Sequence, residues 1–386
     1  MKKLRILFLI TEDWYFWSHR LPIARAARDA GFKVLIATRV HRHKERIEKE
    51  GLKLIPINLA RRNRSPVKIL LDIIEIVKMY RREKPDIVHH VAVQPVLFGS
   101  LAAMISGKTA VVNALAGLGH VFVAQDVKTR LLRRIFLAAF KLAFCGKNVI
   151  GIFQNPDDLK IFVDLGVIKS EKAVMIRGAG VDLNLFAYRT EQTDIPIVLL
   201  ASRMLWKKGI GEFVEASRIL RRSGVGCRMI LVGIIDPESP ASINEETLCK
   251  WHDEGIIEWW GQRDDMPEVF AESNIVTLPT TYGEGIPKVL IEAASCGRAI
   301  VTTDVTGCRE IVRHNENGLL IPPGDFKALA DALKYLIENP QIRAKMGVQG
   351  REIVEAEFSE EIVVRQTMEV YKKMLLAKNK SSEIKR

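Results

Sequence analysis

The chain has 386 residues, 48% hydrophobic and 27% charged, a composition that predicts a globular protein of two domains and excludes extensive disorder. The net charge of +12 is unevenly spread, because residues 1–190 carry 33 Lys and Arg against 16 Asp and Glu, while the remainder is net acidic. The basic half indicates an anionic partner, which is a nucleic acid, a membrane surface or a phosphorylated substrate.

Six apolar runs in the first half predict strands. They are RILFLI, KVLIATR, LKLIPINL, DIVHHV, AVVNAL and VIGIFQ, and segments with helical spacing separate them. Continuous apolar runs suit strands buried on both faces of a parallel sheet, so we expect an α/β domain over residues 1–185. Glu12 and Asp13 interrupt the first run too soon for a signal peptide. Ser18 is the expected N-cap of the first crossover helix, and Gly31 its end.

A second series follows a stretch of poor periodicity at 180–196, which we interpret as a linker. The runs are IPIVLLA, CRMILVG, IIEWWG, NIVTLPT, RAIVTTD and GLLIPPGD, and they predict a second α/β domain over residues 195–358. A final helix over 359–378 is expected to cross back to the first domain. Two Rossmann-like domains of this kind would face a central cleft at the carboxyl ends of their strands, where such folds bind ligands.

Three missing patterns narrow the function. The chain has no G-x-G-x-x-G, which argues against a nicotinamide or flavin dinucleotide site. It has no D-x-D, so the usual carboxylate cradle for a metal-bound nucleotide diphosphate is missing, and protein cations and helix ends must balance a nucleotide's charge. Its five cysteines are odd in number and form no C-x-x-C, which favours reduced thiols and a cytoplasmic protein.

The stretch SRMLWKKGIGEF places two cations on the loop that leaves the second domain's first strand. An Arg203 fork and a Lys208 point charge at a strand end suit a diphosphate. In isolation, the same residues are equally consistent with two solvated surface cations.

The stretch YGEGIPKVLIEAASCG follows a predicted strand and begins a helix. Pro287 suits the first helical position, and the backbone N–H groups from Gly285 to Lys288 would form an anion site with the helix dipole. Glu284 precedes that helix, and Glu292 lies more than a turn inside it. The alternative is a capping glutamate followed by an ordinary helix glutamate.

These two stretches, with ILVG, GCREIV, NGLLIPPGD and FS, resemble the retaining glycosyltransferases of family 4, which have the GT-B fold. The resemblance covers nearly the whole second half. In the first half, FWSHRLPIARAARDAGFKV and NALAGLGHVF are similar to a branch that builds polyprenyl-diphosphate-linked glycans, including the bacterial undecaprenyl-diphosphate-glycan N-acetylgalactosaminyltransferases.

The resemblance implies roles for the charged residues of the second domain. The glutamate that matches Glu284 contacts hydroxyls of the donor sugar, and the one that matches Glu292 binds the nucleotide ribose. The positions of Arg203 and Lys208 neutralise the donor diphosphate. The loop around Arg263 lies by the base.

The resemblance also implies that Gly285, Ile286 and Pro287 form the loop whose backbone faces the phosphates. The family needs no metal, so no cofactor beyond the nucleotide-sugar substrate is expected. In a front-face displacement the acceptor hydroxyl attacks while a donor phosphate oxygen takes its proton. A retaining hydrolase instead uses two carboxyl groups about 5–5.5 Å apart across the bond, so the two glutamates are not such a pair.

The first domain departs from the family at one place. Many members have a histidine just after the fifth strand, where this chain has Leu115 and Ala116. His120 either replaces it in catalysis or is an ordinary loop histidine. His19 and Arg20 are expected to begin a helix whose N-terminus contacts the acceptor phosphate, or to be a solvated helix start.

The segment Lys128–Lys147 has four basic residues among Leu, Ile and Phe at helical spacing. Such a helix either lies in an anionic membrane interface or packs on the core with a solvated basic face. With the basic first half and the resemblance, we expect peripheral attachment to the inner face of the cell membrane.

The expected function is transfer of a sugar, such as a HexNAc like GalNAc, from a UDP-sugar to a polyprenyl-diphosphate-linked glycan. UDP is implied by the family and not by any residue. The alternatives are a GT-B-like nucleotide-sugar 2-epimerase, which needs no lipid acceptor, and a nucleic-acid-binding protein that uses the basic half. The chain has no recognised base-reading module, so we expect no nucleic-acid partner.

Overall fold

The computed structural model describes residues 3–59, 65–107, 109–117, 127–191 and 194–383, with the side chains of 127–132 and 378–383 outside the description. The chain divides into two compact units. Unit 1 comprises residues 1–179 and 361–386, and unit 2 comprises residues 180–360.

Unit 1 has a seven-stranded parallel sheet in the order β3-β2-β1-β4-β5-β6-β7. Its strands are β1 Arg5–Glu12, β2 Lys33–Arg39, β3 Lys53–Pro56, β4 Ile87–Val91, β5 Ala110–Leu115, β6 Val149–Phe153 and β7 Ala173–Met175. All five residues of β4 and all six of β5 are buried, as expected for strands covered on both faces.

The helices of unit 1 form a layer on each face of this sheet. They are α1 Asp13–His19, α2 Leu21–Asp29, α3 Lys44–Lys49, α4 Pro66–Glu83, α5 Val93–Ser106, α6 Val127–Phe144, α7 Pro156–Asp164 and the C-terminal α15 Glu360–Glu383. One apolar core includes side chains of α4 to α7, and the other includes side chains of α1 to α3 and α15. Consecutive parallel strands require crossovers, so the helical segments that connect two strands of this sheet run back from its carboxyl edge.

Unit 2 repeats this architecture with a six-stranded parallel sheet in the order β10-β9-β8-β11-β12-β13. Its strands are β8 Ile197–Ala201, β9 Arg228–Val232, β10 Glu258–Trp259, β11 Ile275–Leu278, β12 Ala299–Thr303 and β13 Gly318–Ile321. Its helices are α8 Ile210–Arg222, α9 Glu245–Asp253, α10 Met266–Glu272, α11 Lys288–Ser295, α12 Cys308–Ile311, α13 Phe326–Glu338 and α14 Pro340–Glu357. The predicted fold class, two parallel α/β domains, is confirmed.

Every apolar run predicted as a strand contains one, but the local predictions differ in detail. The three-residue β7 was missed, because a run that short leaves no periodicity. The prediction of Ser18 as an N-cap is wrong: it lies inside α1, where its Oγ donates to the carbonyl of Trp14 at 2.9 Å. Gly31 does follow the end of α2, in a positive-φ conformation (92°) that favours glycine.

The stretch predicted as a linker is fixed to unit 2 by side chains of that unit. The hydroxyl of Ser295 donates to the carbonyl of Phe186 at 2.6 Å, and the guanidinium of Arg343 pairs with Glu191 at 2.7 Å. These contacts join residues far apart in sequence, which is why the stretch has no periodicity of its own. Its residues belong to unit 2, whereas we predicted that the first domain extends to residue 185.

Candidate functional site

The loop that follows β8 is held against its neighbours by two glycines. Gly209 has φ 79°, and a Cβ there would lie 2.0 Å from the carbonyl oxygen of Pro279. A Cβ on Gly233 would lie 1.7 Å from the carbonyl oxygen of Ser202. Only glycine allows these close approaches, which bring the ends of three neighbouring strands together at the carboxyl edge of the unit 2 sheet.

Lys208 and Glu284 form an ion pair at this edge. The Nζ of Lys208 lies 2.5 Å from Oε1 of Glu284, and the two side chains are only 14% and 15% exposed. The hydroxyl of Thr280 donates to the same carboxylate oxygen at 3.2 Å, and the ring of Tyr282 lies 5.7 Å from the ammonium. Burial alone would lower the pKa of Lys208, but the charge of Glu284, the charge of Tyr282 and the hydrogen bond to Glu284 together outweigh it, and the pKa is raised. Lys208 is therefore a cation at neutral pH.

Arg203 lies close to this pair, since its charge also acts on the pKa of Lys208. Its Nη1 lies 2.6 Å from Oδ2 of Asp236, and Arg203 remains 37% exposed while Asp236 is 10% exposed. Sequence reasoning missed Asp236. The available signal was its position, three residues after the glycine of ILVG and thus at the end of the neighbouring strand.

The start of α11 differs from the prediction by one residue. Pro287 has ψ 116° and is the N-cap, and the helix begins at Lys288. The preceding turn is anchored by backbone, because the N–H of Glu284 donates to the carbonyl of Thr306 at 2.9 Å. A Cβ on Gly307 (φ 88°) would lie 1.5 Å from the carbonyl oxygen of Gly285. The turn is thus positioned by backbone contacts and a required glycine.

The side chain of Ile286 is 6% exposed and belongs to the apolar core of unit 2. This burial leaves only its backbone to face a ligand, as the predicted role of the Gly285–Ile286–Pro287 loop requires. Glu292 lies inside α11 and pairs with Lys288 at 3.3 Å, a partner that the sequence analysis did not assign. Burial raises the pKa of Glu292, although the charge of Lys288 lowers it in part. Glu284 and Glu292 therefore each have a lysine of their own.

Arg263 follows β10 and is held in a defined orientation. Its Nε and Nη2 donate to the carboxylate of Asp265 at 2.7 and 2.5 Å, and its guanidinium lies 5.5 Å from the ring centre of Trp260. A two-point hydrogen bond and an aromatic neighbour fix the plane of the guanidinium. This leaves a flat, partly exposed surface of the kind on which a base can stack.

In unit 1 the loop after β1 is also anchored by carboxylates. Asp13 is buried, and its Oδ2 accepts backbone N–H groups of His41, Arg42 and His43 at 2.7, 3.0 and 3.0 Å. Burial raises the pKa of Asp13, but these backbone hydrogen bonds outweigh it and the pKa is lowered. Glu12 accepts from Arg39 and His41. Sequence reasoning treated both acids only as an interruption of an apolar run.

His19 and Arg20 lie between α1 and α2, but their environments differ. His19 ends α1, with its ring stacked on Tyr15 at a centroid distance of 4.2 Å and its Nδ1 2.6 Å from the hydroxyl of Ser18. Arg20 is the N-cap of α2 and is only 4% exposed, so the expectation of a solvated helix start is wrong for this residue.

The guanidinium of Arg20 is buried without a carboxylate. Its Nε has no hydrogen-bond partner, and no ion pair involves Arg20 within the described residues. Its charge acts on the pKa of His89 on β4 and of Tyr371 on α15, which are hydrogen-bonded to each other at 2.6 Å. Burial lowers the pKa of His89 far below its ordinary value, and the charge of Arg20 lowers it further. His89 is therefore neutral, and Arg20 is a cation without a counter-charge.

The fifth strand ends at Leu115, which is buried, and Ala116 follows it. His120 lies outside the described residues, as do the side chains of the first turns of α6. Farther along α6, Phe140 and Phe144 pack into the core, while Arg134 and Lys141 are exposed. None of the described helices is both long and apolar enough to cross a bilayer. In the same part of the chain, no cluster of three or more His, Cys, Asp or Glu could hold a metal ion.

Two family models match the chain, "Glycosyl transferase 4-like" over residues 5–152 and "Glycosyl transferases group 1" over residues 195–339. A Campylobacter jejuni protein named N,N'-diacetylbacillosaminyl-diphospho-undecaprenol alpha-1,3-N-acetylgalactosaminyltransferase is 26% identical and is matched over 96% of this chain and 99% of its own. An Escherichia coli UDP-Gal:alpha-D-GlcNAc-diphosphoundecaprenol alpha-1,3-galactosyltransferase is 25% identical, over 70% and 71%.

Among solved structures, sucrose-phosphate synthase from Thermosynechococcus elongatus superposes with a TM-score of 0.79 at 21% identity, covering 97% of this chain and 100% of that one. The likeness establishes the fold. With a transferase 4-like domain in unit 1 and a group 1 domain in unit 2, the chain belongs to glycosyltransferase family 4 and has the GT-B fold.

Proposed function

We propose that this protein is a retaining glycosyltransferase that transfers a sugar from a UDP-sugar to a polyprenyl-diphosphate-linked glycan during surface-polysaccharide or glycoprotein-glycan assembly. The observation that carries the proposal is the paired Lys208 and Glu284 beside Arg203, at the carboxyl edge of unit 2. A sugar diphosphate suits this arrangement, because its phosphates can accept hydrogen bonds from Lys208 in place of Glu284. The carboxylate of Glu284 can then accept hydrogen bonds from the sugar hydroxyls.

The rest of the donor site follows from the same geometry. Glu292 would accept the ribose hydroxyls, and the plane of Arg263 would lie by the base. The backbone from Gly285 to Pro287 would face the phosphates, next to the N-terminus of α11. The donor's negative charge would be balanced by protein cations, so we propose transfer without a metal.

In the proposed step the acceptor hydroxyl oxygen forms a bond to the anomeric carbon as the bond from that carbon to the phosphate oxygen breaks. The hydroxyl proton passes to a phosphate oxygen of the departing nucleotide. Arg203 and Lys208 stabilise the charge that develops on the leaving diphosphate, which is where most of the rate enhancement would arise. No protein carboxylate needs to act as a nucleophile.

On the acceptor side, Arg20 supplies a buried cation without a carboxylate. An unpaired buried charge is costly, and binding of the acceptor's diphosphate would offset that cost. The names of two relatives support such an acceptor, since both specify undecaprenol-linked diphosphate sugars, and one of them specifies UDP-Gal as donor. We propose GalNAc as the first donor sugar to examine. We also propose that the reaction takes place at the inner face of the membrane and that α6 contacts the membrane surface.

The test is a panel of nucleotide sugars offered with a synthetic polyprenyl-diphosphate-sugar acceptor, with products identified by mass. We expect one UDP-HexNAc to give a product longer by one residue, with the anomeric configuration of the donor kept. Glu284→Ala should abolish it, whereas Glu338→Ala, which removes an exposed glutamate paired with Lys334 at 3.9 Å, should not.

Two outcomes would overturn the proposal. Full activity of Glu284→Ala would exclude the donor site described here. Turnover of the nucleotide sugar to an epimer without any acceptor would instead establish an epimerase.

A further inference from the structure

The exposed apolar side chains of the protein are concentrated on one layer of unit 1. Of the 17 large hydrophobic residues that are exposed in the described part of the chain, eight lie on the three helices α4, α5 and α6. These helices pack side by side, α4 against α5 and α5 against α6, on one face of the sheet. Isolated exposed apolar residues are normal, but a concentration on one surface indicates a binding face.

The densest part is a stripe on α4. Val67, Leu70, Leu71 and Ile74 are 67%, 58%, 54% and 39% exposed. Their spacing of three and four residues places them on one side of the helix. The opposite side already contributes buried residues to the core, among them Ile76, Val77, Met79 and Tyr80. The stripe is therefore an apolar surface additional to the one that folds the helix.

Basic residues continue the same side of α4 toward its C-terminus. Lys78, Arg81 and Arg82 are exposed and follow Ile74 at intervals of four, seven and eight residues. From Val67 to Arg82 this face is about 22 Å long at 1.5 Å per residue. Glu75 is the exposed acidic residue beside it. The face is thus apolar at one end and cationic at the other.

The exposed side of α6 has the same mixed character. Ile135 and Leu142 are 60% and 42% exposed, and Arg134 and Lys141 are exposed beside them. The combination of aliphatic and basic side chains therefore extends beyond α4 to a second helix of the same layer.

The direction of α4 places its apolar end near the ligand-binding edge of unit 1. α4 follows β3, so its first turns start at the carboxyl edge of the sheet, which is where open parallel sheets bind ligands. Arg20 lies at the same edge, after β1. A surface that receives the lipid part of a substrate and a cation that receives its phosphate would then be at the same end of unit 1.

We propose that the outer face of α4, from Val67 to Arg82, is a membrane-docking surface whose apolar stripe enters the headgroup region of an anionic bilayer while its basic end contacts lipid phosphates. The inference rests in part on the proposed lipid-linked acceptor. An anionic bilayer fits better than a second protein, because exposed aliphatic side chains next to exposed cations match both components of such an interface.

The test measures binding to vesicles of phosphatidylcholine with about a third phosphatidylglycerol, by co-sedimentation at low salt. Leu70→Ser combined with Leu71→Ser removes the centre of the stripe without touching the core. Leu185→Ser is the matched control, because Leu185 is 59% exposed, like Leu70, but belongs to unit 2. We expect about tenfold weaker vesicle binding for the double variant and no change for the control.

Vesicle binding is measured without substrate, so its result is separate from that of the transferase assay. A double variant that binds vesicles like the wild type, or a wild type that binds none, would overturn the docking surface and leave the proposed reaction standing. If instead the double substitution converts a dimer to a monomer and no vesicle binding is seen, the stripe is a contact between copies of the chain. Transfer to a water-soluble short-chain acceptor should be equal in both proteins and shows that the variant is folded.

Discussion

The two units share one architecture, but the cations to which we assign a phosphate differ in their surroundings. In unit 2 the two cations that we assign to the donor diphosphate each have a carboxylate: Lys208 has Glu284, and Arg203 has Asp236. In unit 1 Arg20 is buried without one, next to a neutral His89. At the edge of unit 2 these two cations are paired with carboxylates in the absence of a ligand, whereas at the edge of unit 1 the buried Arg20 is not paired with a carboxylate.

For the proposed donor and acceptor, this difference implies two ways of binding a diphosphate. In unit 2 a ligand must replace existing partners. Its hydroxyls replace the ammonium of Lys208 at Glu284, and its phosphates replace the carboxylates at Lys208 and Arg203. Such exchange favours a ligand that brings both groups, which a sugar nucleotide does. In unit 1 the cation has no partner to exchange, so any anion of suitable shape would improve on the empty state.

The largest expected effect comes from breaking the exchange in unit 2. Lys208→Met keeps a side chain of similar length and removes the charge that would stabilise the leaving diphosphate. We expect kcat to fall about a thousandfold, the usual result of removing one group that stabilises developing charge. Steady-state kinetics with the preferred nucleotide sugar measures it, and Lys334→Met in the exposed pair with Glu338 is the control. A rise in KM with kcat unchanged would mean that Lys208 contributes equally to binding of the ground state and of the transition state.

The second effect tests whether backbone geometry holds the unit 2 site. Gly307→Ala would place a Cβ 1.5 Å from the carbonyl oxygen of Gly285, at a positive φ. We expect a loss of about 3 kcal/mol in the free energy of unfolding, because both the contact and the conformation are unfavourable. Gly324→Ala has a similar φ but nothing within 4 Å, and should cost only about 1 kcal/mol. Chemical denaturation distinguishes the two, and equal losses would show that the close approach does not matter.

The same glycines explain why unit 2 could be predicted from sequence in more detail. Where backbone approaches backbone, only one residue type fits, so Gly209 and Gly307 stand in recognisable motifs and the resemblance extends across the whole half. Positions that supply a hydrogen-bond or ion-pair partner are not restricted to one residue type. Asp236 and Lys288 were missed because many polar residues can occupy a strand end or a helix turn, and only the fold shows which ones meet.

In unit 1 the sheet could be predicted from its apolar runs, but the burial of Arg20 could not. An arginine near a helix start is usually solvated, and nothing local distinguishes this one. Two groups on which its charge acts are His89 and Tyr371, and Tyr371 lies on α15, which returns from the far end of the chain. Long-range packing of this kind is invisible to periodicity.

A third effect, intermediate in size, tests the unbalanced cation. Arg20→Met removes the buried charge and keeps an apolar stem of similar length. We expect the KM for the polyprenyl-diphosphate acceptor to rise about tenfold, while the KM for the donor is unchanged. The midpoint of thermal unfolding of the free protein should rise or stay the same, because replacing an uncompensated buried charge is often stabilising. Arg28→Met, at the other end of the same helix, is the control for the acceptor KM. A marked loss of stability would mean that Arg20 has a structural role instead.

The smallest effect concerns Glu292, whose pKa is raised because burial outweighs its pairing with Lys288. A carboxyl that binds its proton more tightly in the folded state makes the protein less stable as pH rises from the ordinary glutamate pKa through the raised one. Glu292→Gln removes this titration, so the free protein should become more stable at neutral pH and gain nothing below the ordinary glutamate pKa. Denaturation curves of both proteins at several pH values measure the difference.

The same variant should bind the nucleotide more weakly, since an amide replaces the carboxylate proposed to accept hydrogen bonds from both ribose hydroxyls. Gain of stability together with loss of affinity would show that Glu292 destabilises the free protein but contributes to ligand binding. Unit 2 would then also contain an unfavourably placed charged group, as unit 1 does in Arg20. If Glu292→Gln is as stable as the wild type at every pH, Glu292 does not destabilise unit 2, and the difference between unit 2 and the unpaired Arg20 of unit 1 stands.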